Sequence, residues 1–190
     1  MSVTLRRLSG PEFSILVPRL VDIYIDAMGY APGIRSDRIR VWRREIHQPG
    51  FTSLIAVLNE EVVGVSYGFI GNPERWWDRQ LRRGFAERGG ATPQQQEMLR
   101  DYFEVAEIHV EPQLQVRGIG RALLTELLWN APASYAMLST PEVPDENNAA
   151  FGLYRSLGFE DVLRDFFYHG DTRPFAVLAR ALPLPQENRA

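Results

Sequence analysis

The chain has 190 residues, 45% of them hydrophobic and 24% charged, which suits one domain around one substantial core and makes two independent domains cramped. A formal net charge of -3, with arginines scattered along the chain, excludes the basic footprint of a nucleic-acid binder. No stretch approaches the roughly 18 consecutive apolar residues of a membrane span, and the N-terminus lacks the apolar run of a signal peptide, so a soluble cytoplasmic protein without membrane contact is expected.

In chain order, residues 3–8 alternate like a first strand. Helix-start residues at 9–12 then precede an apolar-periodic segment running to about Met28. Pro18 lies inside it and predicts a late start or a kink. Residues 29–33 read as a loop, after which Ser36 and Asp37 are placed to cap a second helix over 38–47. Residues 51–58 and 62–69 are strand-like and joined by Asn59, Glu60 and Glu61 as a hairpin. Gly71 and Pro73 break the sheet, and one or two helices are expected in an insert over about 72–101, the second opened by Thr92 as N-cap with Pro93 behind it. Residues 103–110 read as the fourth strand, 121–129 as a helix, 135–140 as a strand and 147–157 as a helix closed by Gly158. Two further strands are expected over 159–168 and 175–181, with a single domain over 1–182 and a frayed tail over 183–190.

Chemistry concentrates where the fourth strand meets the next helix. Gly118 and Gly120 permit positive φ and carry no Cβ, so backbone amides there can close on a phosphate while the helix adds its partial positive end. No Lys-Ser/Thr follows a glycine loop, which removes a Walker A site, and a third glycine with an acidic ribose partner is missing for a dinucleotide fold. The chain has no cysteine to carry an acyl group, and its three histidines give no metal-ligand spacing, so no metal is expected.

The spacing Gln115-x-x-Gly118-x-Gly120 resembles the pyrophosphate motif of the GCN5-related N-acetyltransferase superfamily. Asn147-x-x-Ala150-x-x-Leu153-Tyr154, closed by Leu157-Gly158-Phe159, resembles its second signature. The resemblance is specific over about 105–159. It implies an α/β, single-domain fold with a mixed, mostly antiparallel central sheet flanked by helices. The fourth and fifth strands splay apart in that fold and admit the pantetheine arm of acetyl-CoA.

By the same resemblance, Ile108, His109 and Val110 lie along the pantetheine arm, and Gln115, Val116, Arg117, Gly118, Ile119, Gly120 and Arg121 surround the pyrophosphate. Asn147 and Ala150 of the second motif belong to the coenzyme site, with Asn148 the alternative if the register slips by one. Tyr154 is expected as general acid near the coenzyme sulfur, within the coenzyme site itself. An alkylammonium acceptor, pKa about 10.4, must lose a proton before it attacks, and Glu107, Glu104 and His109 on the fourth strand are the candidates to take it. Strand alternation puts Glu107 and His109 on one face and Glu104 on the other, although a β-bulge, which the family has here, can undo that count. The expected function is direct transfer of acetyl from acetyl-CoA to an amino group of a small molecule or peptide, with the two N-terminal helices flanking the acceptor and a homodimer left open. Two alternatives stand beside it. One is a non-catalytic acyl-CoA-binding domain. The other is a serine hydrolase using Ser66 of Gly64-x-Ser66-x-Gly68, although that pattern lies inside a predicted strand where the nucleophile elbow needs a strand-turn-helix.

Overall fold

The computed structural model describes residues 3–185, so residues 186–190 of the expected tail lie outside the described residues. A mixed seven-stranded sheet has the order β1-β2-β3-β4-β5-β7-β6, with helices flanking it. The strands are β1 (Thr4–Leu8), β2 (Thr52–Leu58), β3 (Glu61–Ile70), β4 (Tyr102–Val110), β5 (Tyr135–Pro141), β6 (Glu160–Phe166) and β7 (Phe175–Ala181). The helices are α1 (Gly10–Met28), α2 (Arg35–Glu45), α3 (Trp76–Glu87), α4 (Pro93–Met98), α5 (Ile119–Leu128) and α6 (Ala149–Ser156). The described residues divide into two compact units, one made of those up to 69 together with 105–129, the other of 70–104 together with those from 130 onward.

In the first unit, α1 begins at once and continues past Pro18 as one helix, so the expected late start does not occur. Ser9 and Glu12 close a capping box at its head. Proline at position 18 has no N–H to give the carbonyl of Ser14, four residues back, but Nε of Arg43 on α2 donates to that oxygen at 3.2 Å. A neighbouring helix thus replaces the lost bond. The α1 face bearing Phe13, Val17, Leu20, Val21 and Tyr24 is buried against Trp42 of α2 and Tyr67 and Phe69 of β3, each such side chain stabilising the fold by about 1.5–3 kcal/mol. Helix α2 starts earlier than expected. A 3-10 turn over Pro32–Ile34 feeds it directly, Ile34 is its N-cap without a side-chain bond, and Asp37 pairs with Arg40 within the helix instead of capping it. Strands β2 and β3 form the expected hairpin, turned by Asn59 and Glu60 at φ 50° and 67°, the positive-φ pair that a two-residue turn of this hand requires.

In the second unit, β5 lies between β4 and β7. Its parallel register with β4 covers Tyr102–Tyr135, Phe103–Ala136 and Glu104–Met137 and stops three residues into each strand, whereas its antiparallel register with β7 runs from Tyr135 to Pro141. The insert contains both expected helices, and Thr92 forms a capping box with Gln95. Asp78 of α3 is fully buried, accepting from the Tyr102 hydroxyl at 2.9 Å and from Nε of Arg82 at 2.5 Å. Burial beside two carboxylates pushes the Tyr102 phenol far above its ordinary range, so it stays a donor. Trp77 donates to the Tyr168 hydroxyl at 2.8 Å, which donates in turn to Ser139 at 2.7 Å. The insert is therefore anchored within its own unit, with Trp76 left half exposed.

Candidate active site

The second half of β4 carries the expected pair of titratable groups. Glu107 and His109 share a strand face, and Nε2 of His109 meets Oε2 of Glu107 at 2.6 Å with side-chain exposures of 10% and 20% for His109 and Glu107. An ionised carboxylate only accepts, so in the neutral imidazole this contact places the proton on Nε2 and leaves Nδ1 as a lone-pair acceptor. Two residues unforeseen in the sequence pack on the imidazole. Tyr24 of α1 meets it edge-on with ring centroids 4.9 Å apart, and Trp42 of α2 lies nearly parallel to it at 6.5 Å. Trp42 is the one aromatic of α2, where Ile39, Val41 and Trp42 stand among mostly charged residues, a pattern that marks a buried face.

The turn after β4 is built from the strand end outward. The Glu111 amide donates to the Val63 carbonyl at 2.9 Å, and Nε2 of Gln115 donates to the Val110 carbonyl at 3.1 Å. Arg19 of α1 bridges the Glu111 carboxylate and, at 2.7 Å, the Val62 carbonyl. Gln115 therefore ties the turn to the strand end. Val116 and Gly118 follow at φ 62° and 82°, and a valine held in the left-handed region is strained. Gly118 is the N-cap of α5 without a side-chain bond, and the first helical bond runs from the Ala122 amide to the Gly118 carbonyl at 3.0 Å. The amides of Ile119 and Gly120 thus lack an intrahelical acceptor at the positive end of the helix. Nothing lies within 4 Å of where a Cβ would stand on Gly118. Ile119 is buried and anchors the helix, Arg117 is exposed and Arg121 half-buried. Room, open amides and a helix end together fit a phosphate.

In the other unit, Glu104 is buried beside Arg75, Nε to Oε2 3.4 Å. The second-motif helix starts later than expected. Asn147 stands before it at φ -82°, ψ 66°, its amide donating to the Pro144 carbonyl at 3.0 Å to close a 3-10 turn. Asn148 takes the extended N-cap conformation, and its Oδ1 accepts from the Phe151 amide at 2.8 Å. Asn147 therefore stands outside the helix that carries Tyr154 and shares no helical face with it. Ala150 is half-buried, and Tyr154 is 6% exposed with its ring 6.0 Å from that of Phe159.

Ser66 lies inside β3, fully buried, with Oγ 3.4 Å from the Leu123 carbonyl. A continuous strand offers no elbow to expose that hydroxyl. Among the described residues no group of three or more His, Cys, Asp or Glu side chains is placed to hold a metal ion, and no helix is long and apolar enough to cross a membrane.

Residues 17–159 match the model of the acetyltransferase (GNAT) family. The chain is 35% identical over 184 residues, 85% of its own length and 89% of the relative's, to the GCN5-like protein acetyltransferase Rv2170 of Mycobacterium tuberculosis. It is 33% identical over 90 residues, 46% of its length and 60% of the relative's, to the ribosomal protein bS18-alanine N-acetyltransferase of Escherichia coli K12. The yncA protein of Salmonella typhimurium, solved with its cofactor acetyl-CoA, has the same fold at a TM-score of 0.62 and 18% identity, over 96% of this chain and 95% of that one. With the glycine turn, the second-motif helix and a family match over most of its length, the chain belongs to the GNAT acetyltransferase family.

Proposed function

We propose that the chain transfers the acetyl group of acetyl-CoA directly to an amino group carried by a protein or peptide. The observation that carries this reading is the turn ahead of α5, where Val116 and Gly118 at positive φ lead into a helix start left open by an uncapped glycine. Family membership supports acetyl-CoA as donor. The M. tuberculosis relative, described as a protein acetyltransferase, and the E. coli alanine N-acetyltransferase support a protein amine as acceptor. In this reading the backbone of 116–121 holds the pyrophosphate and residues 108–110 lie along the pantetheine arm, while Asn147 and Ala150 are coenzyme residues by the family's second motif.

Acetyl-CoA supplies, when bound, an acetyl group activated as a thioester. Glu107 and His109 act as one base: Nδ1 of His109 takes a proton from the acceptor ammonium, and the Glu107 carboxylate orients the ring and balances its charge. The Tyr154 hydroxyl gives a proton to the departing thiolate. Glu104, set against Arg75, serves as a structural carboxylate. The chain has no cysteine, so no enzyme thiol carries the acetyl group on the way.

The test pairs binding with turnover. Acetyl-CoA should raise the melting temperature of the protein, as a ligand of the native state does. Gly118→Asp, which sets a carboxylate at φ 82° where phosphate belongs, should abolish that rise. Mass spectrometry of a panel of peptides with free α- or ε-amines then identifies the acceptor. The 21 cationic residues Lys plus Arg are all arginine in this chain, so every ε-acetyl group detected belongs to the added peptide. An unchanged acetyl-CoA shift in Gly118→Asp refutes the phosphate site.

A further inference from the structure

The loop that delivers α6 is strained and clamped. Asp145 and Glu146, neither of them glycine, stand in succession at φ 54° and 53°, a region that costs an ordinary residue about 1–2 kcal/mol. Such a loop persists only where its surroundings hold it. Here the holding groups are arginines. Both oxygens of the Glu146 carboxylate are taken by Arg155 of α6, from Nε at 2.9 Å and an Nη at 2.5 Å, and Arg164 of β6 adds a third bond at 2.8 Å. The other side of the Arg164 guanidinium grips Glu142, at the loop's beginning, through Nε at 2.7 Å and Nη at 2.6 Å. One guanidinium therefore brackets the loop at both ends, in the bidentate geometry that lysine cannot supply.

The clamp also reaches the helix cap. Arg155 and Arg164 lie over the ring of the fully buried Phe151, 5.9 Å and 5.6 Å from its centroid, and the Phe151 amide is the donor that Asn148 accepts. Asp161 joins the network through Arg155 at 2.5 Å and Arg164 at 3.3 Å. Carboxylates, guanidinia and one aromatic ring converge on the residues just ahead of the second motif.

We propose that Glu146, gripped by Arg155 and Arg164, is a positioning residue that fixes the 144–148 loop in the conformation from which Asn147, Asn148 and the start of α6 receive the coenzyme. The inference rests on the acetyl-CoA reading above. Without the grip the strained loop relaxes into other conformations, and apparent affinity falls in proportion to the fraction still competent. Chemistry within the bound complex should be left alone, since both carboxylate oxygens of Glu146 are engaged by Arg155 and Arg164.

The experiment compares wild type, Glu146→Gln and the Arg155→Lys variant by calorimetric titration with CoA, steady-state kinetics and amide hydrogen exchange over 144–149. Glu146→Gln should weaken CoA binding and raise KM for acetyl-CoA about tenfold as the competent fraction falls to about a tenth, with kcat within about twofold, and should speed exchange in the loop. Arg155→Lys should weaken CoA binding in the same direction as Glu146→Gln, because it keeps the charge and loses the fork. Should Glu146→Gln not fold, Arg164→Gln, which leaves the Arg155 pair, should weaken CoA about threefold by the same route. Wild-type CoA affinity in Glu146→Gln with reduced melting temperature makes the cluster a stability feature and overturns the proposal. Absence of CoA binding by the wild type itself refutes instead the acetyl-CoA reading on which it rests.

Discussion

Gly84→Ala inverts the usual expectation for a helix. In the interior of an exposed helix, alanine in place of glycine gains about 1 kcal/mol. Gly84, however, is on the buried face of α3, and a Cβ there would stand 2.7 Å and 3.1 Å from two ring atoms of Phe166 and 2.9 Å from Cδ1 of Leu163. Neither neighbour has room to retreat. Phe166 and Leu163 are 1% and 3% exposed, and the Phe166 ring is hemmed by Tyr168 at 5.0 Å and by the guanidinia of Arg83 at 5.1 Å and Arg88 at 5.8 Å. Overpacking costs about 1–3 kcal/mol, more where several neighbours must shift. With two neighbours to shift, the cost lies in the upper part of that range, about 2–3 kcal/mol; it outweighs the propensity gain by about 1–2 kcal/mol, and at about 2–4 °C per kcal/mol for a chain of this size the melting temperature should fall by about 2–8 °C. Circular dichroism melts of wild type, Gly84→Ala, Phe166→Leu and the double variant measure it. The double variant should lose less than the sum of the singles, as residues in contact do. A melting temperature that rises in Gly84→Ala would mean that α3 is not seated on β6 in this way.

Other outcomes follow from the same structure. Tyr154→Phe should lower kcat by roughly 10² to 10⁴ while the Kd for acetyl-CoA stays within a few fold, since a proton to the thiolate matters only as charge develops; full kcat in stopped-flow thiol release would make Tyr154 a packing residue. Ser66→Ala should keep acetyl transfer and cost at most about 1 kcal/mol in urea unfolding, the loss of one long hydrogen bond at 3.4 Å, and loss of all turnover would revive the hydrolase reading. Folding stability should fall with pH below about 5. The Arg155 guanidinium holds Glu146 down to about 2, Arg173 holds Asp171 at about 2, and Arg164 lowers Glu142. Carboxyls depressed in the folded state contribute fully above their unfolded values near 4 and lose that contribution as pH falls through the folded ones. Melts between pH 6 and 2 should therefore be flatter for Glu146→Gln, and an identical slope would remove Glu146 from that linkage.

Much of this was legible in the chain because local chemistry decided it. The Asn59-Glu60 turn, the Thr92 cap and the turn at Gly118 are each set by a few adjacent residues and stand where spacing predicts, while Gly120 lies within α5, which starts two residues earlier than expected. Pro18 misleads because its penalty is local while its remedy, the Arg43 side chain, lies 29 residues from the orphaned Ser14 carbonyl. Ser36 and Asp37 mislead because a 3-10 turn can feed a helix with no side-chain cap at all. The candidate site divides along the same line. Alternation alone puts Glu107 and His109 together, but Tyr24 and Trp42 reach the imidazole from helices far back in the chain, a contact that periodicity cannot express. The one-residue shift between Asn147 and Asn148 was decided by two positive-φ residues that carry no glycine signal.

The interleaving of the two units bears on how the protein is made. The segment ending at Phe69 finds the rest of its unit only when residues 105–129 arrive, and the intervening stretch, with the remainder of the chain from 130 onward, belongs to the other. At a synthesis rate of about 5–20 residues per second, the roughly 60 residues from Phe69 to Trp129 take about 3–12 s to emerge. During that interval α1, α2 and the β2–β3 hairpin wait on the ribosome with the β4–α5 part of their unit still unmade. The first unit is complete in sequence only at Trp129 and the other only with the strands that follow, so nascent chains should stay protease-sensitive until the β4–α5 segment has emerged and gain the resistance of the second unit later.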